Sequence, residues 1–360
     1  MPDMHTEMLL MQYDELKDTY VKLKEVVDHI LYDVVVVKNH MFVTGIESRV
    51  KTRDSLEGKL KKKGGKYDSI ADITDLVGAR VITFYEDEVD VVATLIEQNF
   101  DVDYENSVDK RKLYEVDRFG YMSLHYICKI KKEKFSDENY PKLNDVKFEI
   151  QIRTALQHVW ATIFHDTGYK SDVEVPSQYI RRLSRLSGLL ELADGEFREI
   201  RSEIDAYRRN MRQLISKGDF SNVSYNMDTF RDYLAINPFK TIINNVAAMK
   251  HAEVVDDNVE IFYEVFMKCG IKNLNDIENM KKQCGDEAIR LCLAQMQGYD
   301  LDIFAQTMVL RNLCIIYILK NGGGEKNIKE MYDVLNGERN ENASLAKKAI
   351  EQAMPIINMK

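Results

Sequence analysis

The stretch that most constrains this chain runs from Phe148 to Thr154 and straight into Ala155, Leu156, Gln157, His158, Val159 and Trp160. Phe148, Ile150 and Ile152 alternate with Glu149, Gln151 and Arg153. That period of two predicts a strand with one face in a core and a charged face toward a cleft. Thr154 predicts a cap for a helix over 155–166, because its hydroxyl can accept from an N–H that the first helical turn leaves unpaired. An acid, an amide and a guanidinium along one strand face suit a polar site, and equally suit a solvated surface. This stretch alone leaves both readings open.

The order of elements sets the fold class. Apolar residues at helical spacing predict a helix over 5–32, and a β-branched run at 34–37 precedes a strand over 42–50. A short basic helix from Asp54 or Ser55 to Gly64 and Gly65 comes next, then a helical turn over 70–76. A strand is expected over 79–85, a helix over 87–99, and strands over 102–104, 123–130 and 146–153. That sequence of elements predicts an α+β fold: a mixed β-sheet flanked by helices, not a doubly wound parallel sheet. Pro176 opens a long amphipathic stretch to about Ile215, and the turn-rich segment after Gly218 marks a boundary. The expected domains are 1–215 and an all-α C-terminal region, 216–360, with breaks near Asn237 and Pro238, Gly270, Gly285, Gly298, and Asn321 to Gly324. No fixed-period repeat and no catalytic constellation stand out in the second domain. Its expected role is oligomerisation, partner binding or regulation.

Composition narrows the function classes. The formal net charge is -9, with 45% hydrophobic and 30% charged residues, which argues against a general polyanion binder. The basic clusters at Lys59, Lys61, Lys62, Lys63 and Lys66, and at Lys110 and Lys112, read mostly as solvated faces. The five cysteines include no CxxC and no zinc spacing, and suit reduced core thiols. No signal-peptide pattern and no apolar run long enough for a bilayer is seen, so a soluble, cytoplasmic chain without membrane contact is expected. No Gly-rich phosphate loop is present, so a nucleotide would have to be held by side chains.

The strand from Phe148 to Thr154, its helix with Trp160, and Tyr169 with Lys170 resemble the end of the nucleotide-binding core of RelA/SpoT-type (p)ppGpp synthetases. Further blocks agree in the family's order: Ser48 to Lys51, Asp75 to Arg80, and Gly120 to His125. The resemblance covers roughly 35–175. It implies a nucleotidyltransferase-like synthetase core, of the small alarmone synthetase kind, with a helical C-terminal extension. The implied activity is that of a GTP pyrophosphokinase (GTP diphosphokinase). It would move the β,γ-pyrophosphate of ATP to the 3′-hydroxyl of GTP or GDP, giving the (p)ppGpp of the stringent response, with Mg²⁺.

By the same resemblance Asp75 and Glu149 are the metal and catalytic pair, and Glu149 accepts the proton of the acceptor hydroxyl. Arg49, Lys51, Ser55, Lys59 and Arg80 match the donor ATP residues: the arginines suit adenine faces, and Lys51, Ser55 and Lys59 suit phosphates. Tyr121 matches the residue that stacks on the acceptor base, and His125, Gln151 and Arg153 extend that acceptor surface. Read from the residues alone, Asp75 also suits a helix cap, with Asp72 close by as the residue most easily confused with it. Where many members carry Pro-Lys-x-Asn before Gly-Tyr, this chain has Asp117, Arg118 and Phe119. Arg118 supplies a charge but Phe119 no amide, which leaves the acceptor open: an adenine nucleotide or the 3′ end of tRNA is the alternative, and a nucleotide-binding signalling module without catalysis is another. The seven histidines are scattered and give no HD-type hydrolase set, and His165 is expected to close its helix. Homo-oligomer formation or a protein partner is expected through the helical C-terminal region.

Overall fold

The computed structural model describes residues 4–112, 123–135, 138–169, 176–297 and 303–359. The chain divides into two compact units, Met1–Glu203 and Ile204–Lys360. The division falls inside one helix, whereas the sequence-based boundary lies at the turn after it.

The first unit opens with α1 (Met4–Glu15) and α2 (Lys17–Tyr32), followed by a π-helical turn, Asp33–Lys38. The expected single helix over 5–32 is therefore interrupted at Leu16, whose N–H bonds to both Gln12 and Tyr13 carbonyls. The β-branched run at 34–37 extends the second helix as the π-turn instead of announcing the next strand. Val34 and Val35 are buried there, so packing decided what β-propensity alone would not. The core elements are β1 (Val43–Val50), α3 (Arg53–Lys63), β2 (Val77–Thr83), α4 (Glu86–Asn99), β3 (Phe100–Asp109), β4 (Leu124–Ile130), β5 (Phe148–Thr154) and α5 (Ala155–Tyr169).

These strands form one mixed sheet in the order β1-β2-β5-β4-β3. Only β2 and β5 run parallel; the other neighbours are antiparallel. Phe148, Ile150 and Ile152 are fully buried on one face, with Val77, Ala79 and Val81 beside them, and α2 and α4 contribute to the same core. Thr154 caps α5 as expected: its hydroxyl accepts from Gln157 N–H at 3.1 Å, and Gln157 Oε1 returns the bond to Thr154 N–H at 3.0 Å. The helical turn expected over 70–76 is shorter, Ile70–Asp72, and Ser69 with Asp72 forms its capping box.

Helix α6 (Ser177–Lys217) follows. The second unit is helical, with α7 (Met227–Ala235), α8 (Lys240–Lys250), α9 (Phe262–Lys268), α10 (Leu274–Gln295), α11 (Gln306–Lys320), α12 (Glu325–Asn336) and α13 (Glu341–Asn358) around an apolar core. It also holds a short parallel pair, β6 (Glu253–Val255) and β7 (Ile303–Ala305), that apolar spacing did not announce. The break expected at Gly285 does not occur. α10 runs through it, and a Cβ there would meet Ile242 Cδ1 of α8 at 3.4 Å, an ordinary van der Waals contact. The break expected near Gly298 lies outside the described residues. Among the described residues no helix is long and apolar enough to cross a membrane.

Candidate active site

Strand register brings the polar residues together. Directly paired residues share a sheet face, and across the sheet Glu47 pairs with Arg80, Arg80 with Gln151, and Gln151 with His125. The next row holds Arg49, Gly78 and Glu149. Glycine between an arginine and a glutamate leaves the space over its Cα open: an added Cβ would meet nothing within 4 Å. Above these rows lies a cleft of about 500 Å³ lined by Arg49, Arg80, Lys110, His125, Gln151 and Arg153 on the sheet side and by Ala161, Thr162, Phe164 and His165 of α5. A smaller pocket of about 120 Å³, sharing Arg49, Arg80 and Gln151, adds Glu47, Ser48, Asp75, Gly78 and Glu149.

The side chains form one hydrogen-bonded row. Arg80 lies 3.5 Å from Glu47 through its Nη1 and donates from Nε to Gln151 Oε1 at 3.2 Å. Gln151 Nε2 donates to Glu149 Oε2 at 2.8 Å. The other Glu149 oxygen faces His125 Nδ1 at 2.7 Å, and His125 Nε2 faces Ser123 Oγ at 2.6 Å. An ionised carboxylate only accepts, so Nδ1 carries the proton toward Glu149 and the Ser123 hydroxyl donates to Nε2 when the ring is neutral. Burial raises the Glu149 carboxyl, but the bonds from His125 and Gln151 outweigh it and hold it below the ordinary range, with the nearby Asp75 charge opposing them.

Asp75 sits just before β2. Lys51 Nζ reaches one of its oxygens and Lys59 Nζ the other, each at 2.8 Å. Burial pushes this carboxyl up, and the two ammonium groups more than reverse the push. Lys59 also lies 5.4 Å over the Tyr67 ring. The helix-cap reading of Asp75 belongs instead to Asp72, which accepts from Ser69 N–H at 2.9 Å and Asp68 N–H at 3.1 Å. Both site carboxylates are thus anionic through the neutral range.

The expected residues Asp75, Glu149, Arg49, Arg80, His125, Gln151 and Arg153 therefore gather along one face of the sheet, from Glu149 near the start of β5 to Arg153 near its end, with Lys51 and Lys59 held there by Asp75. Ser55 is exposed on α3, bonds to Thr52 Oγ1 at 2.8 Å, and does not line either part of the cleft. Tyr121 and Arg118 lie outside the described residues. Glu47, Ser48, Lys110 and His165 line the cleft without having been assigned to it. Glu47 was readable, two residues before Arg49 on the same strand face. Lys110 is placed there by the pairing of β3 with β4. Burial lowers its ammonium and the Glu149 charge partly restores it. His165 lies at the cleft, and α5 continues past it to Tyr169.

Residues 48–174 match a family described as "Region found in RelA / SpoT proteins". The chain is similar to the GTP pyrophosphokinase YjbM of Bacillus subtilis (strain 168), at 29% identity over 208 residues that cover 57% of this chain and 92% of that protein. The GTP pyrophosphokinase YwaC of the same organism is 27% identical over 172 residues, covering 47% of this chain and 79% of that protein. Among solved structures, the small alarmone synthetase 1 from Bacillus subtilis bound to its product pppGpp overlays with a TM-score of 0.47 at 24% identity, over 54% of this chain and 99% of that one. The RelA/SpoT region takes in β1 from Ser48 onward, the whole hydrogen-bonded row except Glu47, and α5.

Proposed function

We propose that the RelA/SpoT region is a GTP pyrophosphokinase that transfers the β,γ-pyrophosphate of ATP to the 3′-hydroxyl of GTP or GDP, giving (p)ppGpp. The observation that carries this reading is that two carboxylates, Asp75 and Glu149, line one small pocket together with Arg49 and Arg80. In-line phosphoryl chemistry depends on positioning and on electrostatic stabilisation more than on covalent help from the protein, and this pocket is built from those elements.

The geometry supports the roles that the resemblance implies. Arg49 and Arg80 present flat guanidinium groups at the cleft for a purine face, and the bonds from Arg80 to Glu47 and Gln151 hold that group in place. Lys51 and Lys59 are the cations for the donor phosphates. Each rests on an Asp75 oxygen at 2.8 Å, and an incoming triphosphate competes for them. Glu149 receives the proton of the attacking hydroxyl; its low proton affinity suits a group that orients the hydroxyl and takes the proton late, and His125 spreads the charge. His125, Gln151, Arg153 and Lys110 face the acceptor, with Tyr121 and Arg118 as its stacking and charged residues.

The residues also fit a Mg²⁺ ion. Mg²⁺ takes one or two protein carboxylates and completes its octahedron with water and phosphate oxygens. Asp75 and Glu149 provide that pair, and no cluster of three or more ligating side chains exists among the described residues, which argues for a nucleotide-borne ion over a structural one. When bound, the ion neutralises phosphate charge. The setting we assign is cytoplasmic, with the helical second unit available for oligomerisation or a protein partner.

The departure at Asp117, Arg118 and Phe119 makes the acceptor the point to test. Purified protein, Mg²⁺ and β/γ-labelled ATP are incubated in parallel with GDP, GTP, ADP, ATP and deacylated tRNA, with Glu149→Gln as control. Label on GDP or GTP is the expected result. Label on an adenine nucleotide or on tRNA keeps the chemistry and overturns the acceptor; no label on any acceptor, with ATP still bound, overturns the enzyme reading.

A further inference from the structure

The end of β3 sends consecutive side chains to opposite faces of the sheet. Asp109 pairs with Leu124, which is buried in the core that α4 shares. Val108, one residue earlier, pairs with His125 of the site. The pairing runs one step further, since Lys110 N–H donates to the Ser123 carbonyl at 3.0 Å. Lys110 lines the cleft with His125. Arg111 lies on the far face instead, in a separate pocket of about 360 Å³ with Asp90 and Thr94 of α4. There two acids grip its guanidinium. Nε and Nη2 donate to the two oxygens of Asp109, each at 2.9 Å, and Nη2 also reaches Asp90 Oδ1 at 2.8 Å. The Arg111 N–H donates to Asp109 Oδ1 at 3.1 Å. The Arg111 and Asp109 side chains are only 16% and 18% exposed, so this bidentate fork is partly shielded from solvent screening. Asp90, Asp109 and Arg111 line neither part of the cleft.

We propose that Arg111 is a positioning residue for the acceptor side of the cleft: by tying the last turn of β3 to α4, it holds Lys110 beside His125. This role rests on the pyrophosphokinase reading, in which Lys110 faces the acceptor. An ammonium on a flexible stem is only as well placed as its backbone, and Arg111 is the next residue along. β3 is the last strand of the sheet and has a neighbour on one side only, so the tie to α4 supplies a restraint that a second strand would otherwise give. The same turn reaches the site by a second route. The Ser123 carbonyl that accepts from Lys110 N–H belongs to the residue whose hydroxyl bonds to His125 Nε2 at 2.6 Å, and His125 faces Glu149. The donor side is built separately, with Lys51 and Lys59 held by Asp75. The clamp therefore acts on one substrate and not the other.

Equilibrium binding of GDP and of a non-hydrolysable ATP analogue to the full-length protein, run beside the label-transfer assay, tests this. Arg111→Met should raise the GDP Kd, and the KM for GDP, about tenfold, since a displaced ammonium loses part of its attraction. The Kd for the ATP analogue and the helical circular dichroism should stay as in the wild type. Arg111→Lys keeps the charge without the fork and should fall between the two. Lys110→Met tests the route: in that background Arg111→Met should add less than about twofold, because the group it positions is gone. A full tenfold added loss there, or equal losses for GDP and the ATP analogue, makes Arg111 a structural residue and overturns the proposal, as does wild-type GDP affinity in Arg111→Met. A wild type that binds GDP but transfers no label to it overturns the reaction alone, and the two Kd values still decide the role of Arg111. A wild type that binds the ATP analogue but no GDP overturns both.

Discussion

The two units treat buried polar groups in opposite ways. In the first, the charged groups of the site share one face: His125 and Arg153 are nearly buried, and Glu149 and Asp75 are held ionised by neighbours. In the second, buried polar side chains serve helix caps and links between helices. Thr229 sits in the capping box of α7 with Asn226, Asn342 bonds to Asp333 and to the Gly337 carbonyl, and Asn312 donates to Gln295 at 2.9 Å. Its buried thiols are pushed up by burial, Cys284 and Cys292 to about 11, and so stay neutral. Ionised groups grouped inside a protein cost stability unless something else requires them. Their concentration in one unit separates a site from a packing core.

That contrast can be broken most sharply at Glu149. Glu149→Gln should lower the transfer rate by roughly 10²- to 10⁴-fold, the range for a positioned acid or base, while melting temperature changes little because the amide keeps one acceptor. A large stability loss with the rate retained would reverse the assignment of roles. The complementary change is Phe266→Ala, a fully buried ring in the second unit. It should cost about 3–5 kcal/mol in that unit's unfolding, with transfer chemistry retained at temperatures where the unit is folded. A matching loss of rate at low temperature would show that the second unit takes part in the site.

Lys59→Met sharpens the comparison within the first unit. It removes one of two cations from a partly buried carboxylate, which should reduce kcat/KM for ATP by about 1.5–3 kcal/mol, roughly ten- to a hundredfold. The smallest effect belongs to Asp194, where burial raises the carboxyl from 3.8 to about 6 even though Thr154 donates to it at 2.6 Å. A raised folded-state value means the folded protein holds the proton more tightly. The stabilisation is complete below the unfolded value and is lost as pH rises toward 6. Asp194→Asn keeps an acceptor for Thr154 and should flatten that loss. Melting curves across this window check it: a wild-type profile with no such slope would exclude the buried, proton-holding carboxyl.

Much of the site was legible in the residues because a strand has a period of two. Once Phe148, Ile150 and Ile152 are assigned to the core, Glu149, Gln151 and Arg153 must share the opposite face, and the same rule groups Glu47, Arg49 and Lys51. Capping was legible too, since Thr154 and Gln157 lie three residues apart, as the reciprocal bonds require. Less legible were features that depend on a neighbour distant in sequence. Nothing near Asp75 says that two lysines cap its oxygens, and nothing near Gly285 says that α10 runs on through it against Ile242.

By itself the sequence determined the alternation of β5, the helix that follows it, the mixed α+β order of elements and the helical character of the second unit, because periodicity and capping are short-range properties of the chain. The tertiary structure alone decided that Arg80, Gln151, Glu149 and His125 form one hydrogen-bonded row and that Asp72 caps while Asp75 faces the pocket. Those outcomes rest on strand register and on close packing between residues far apart in the chain, and a single segment carries no information about its distant neighbours.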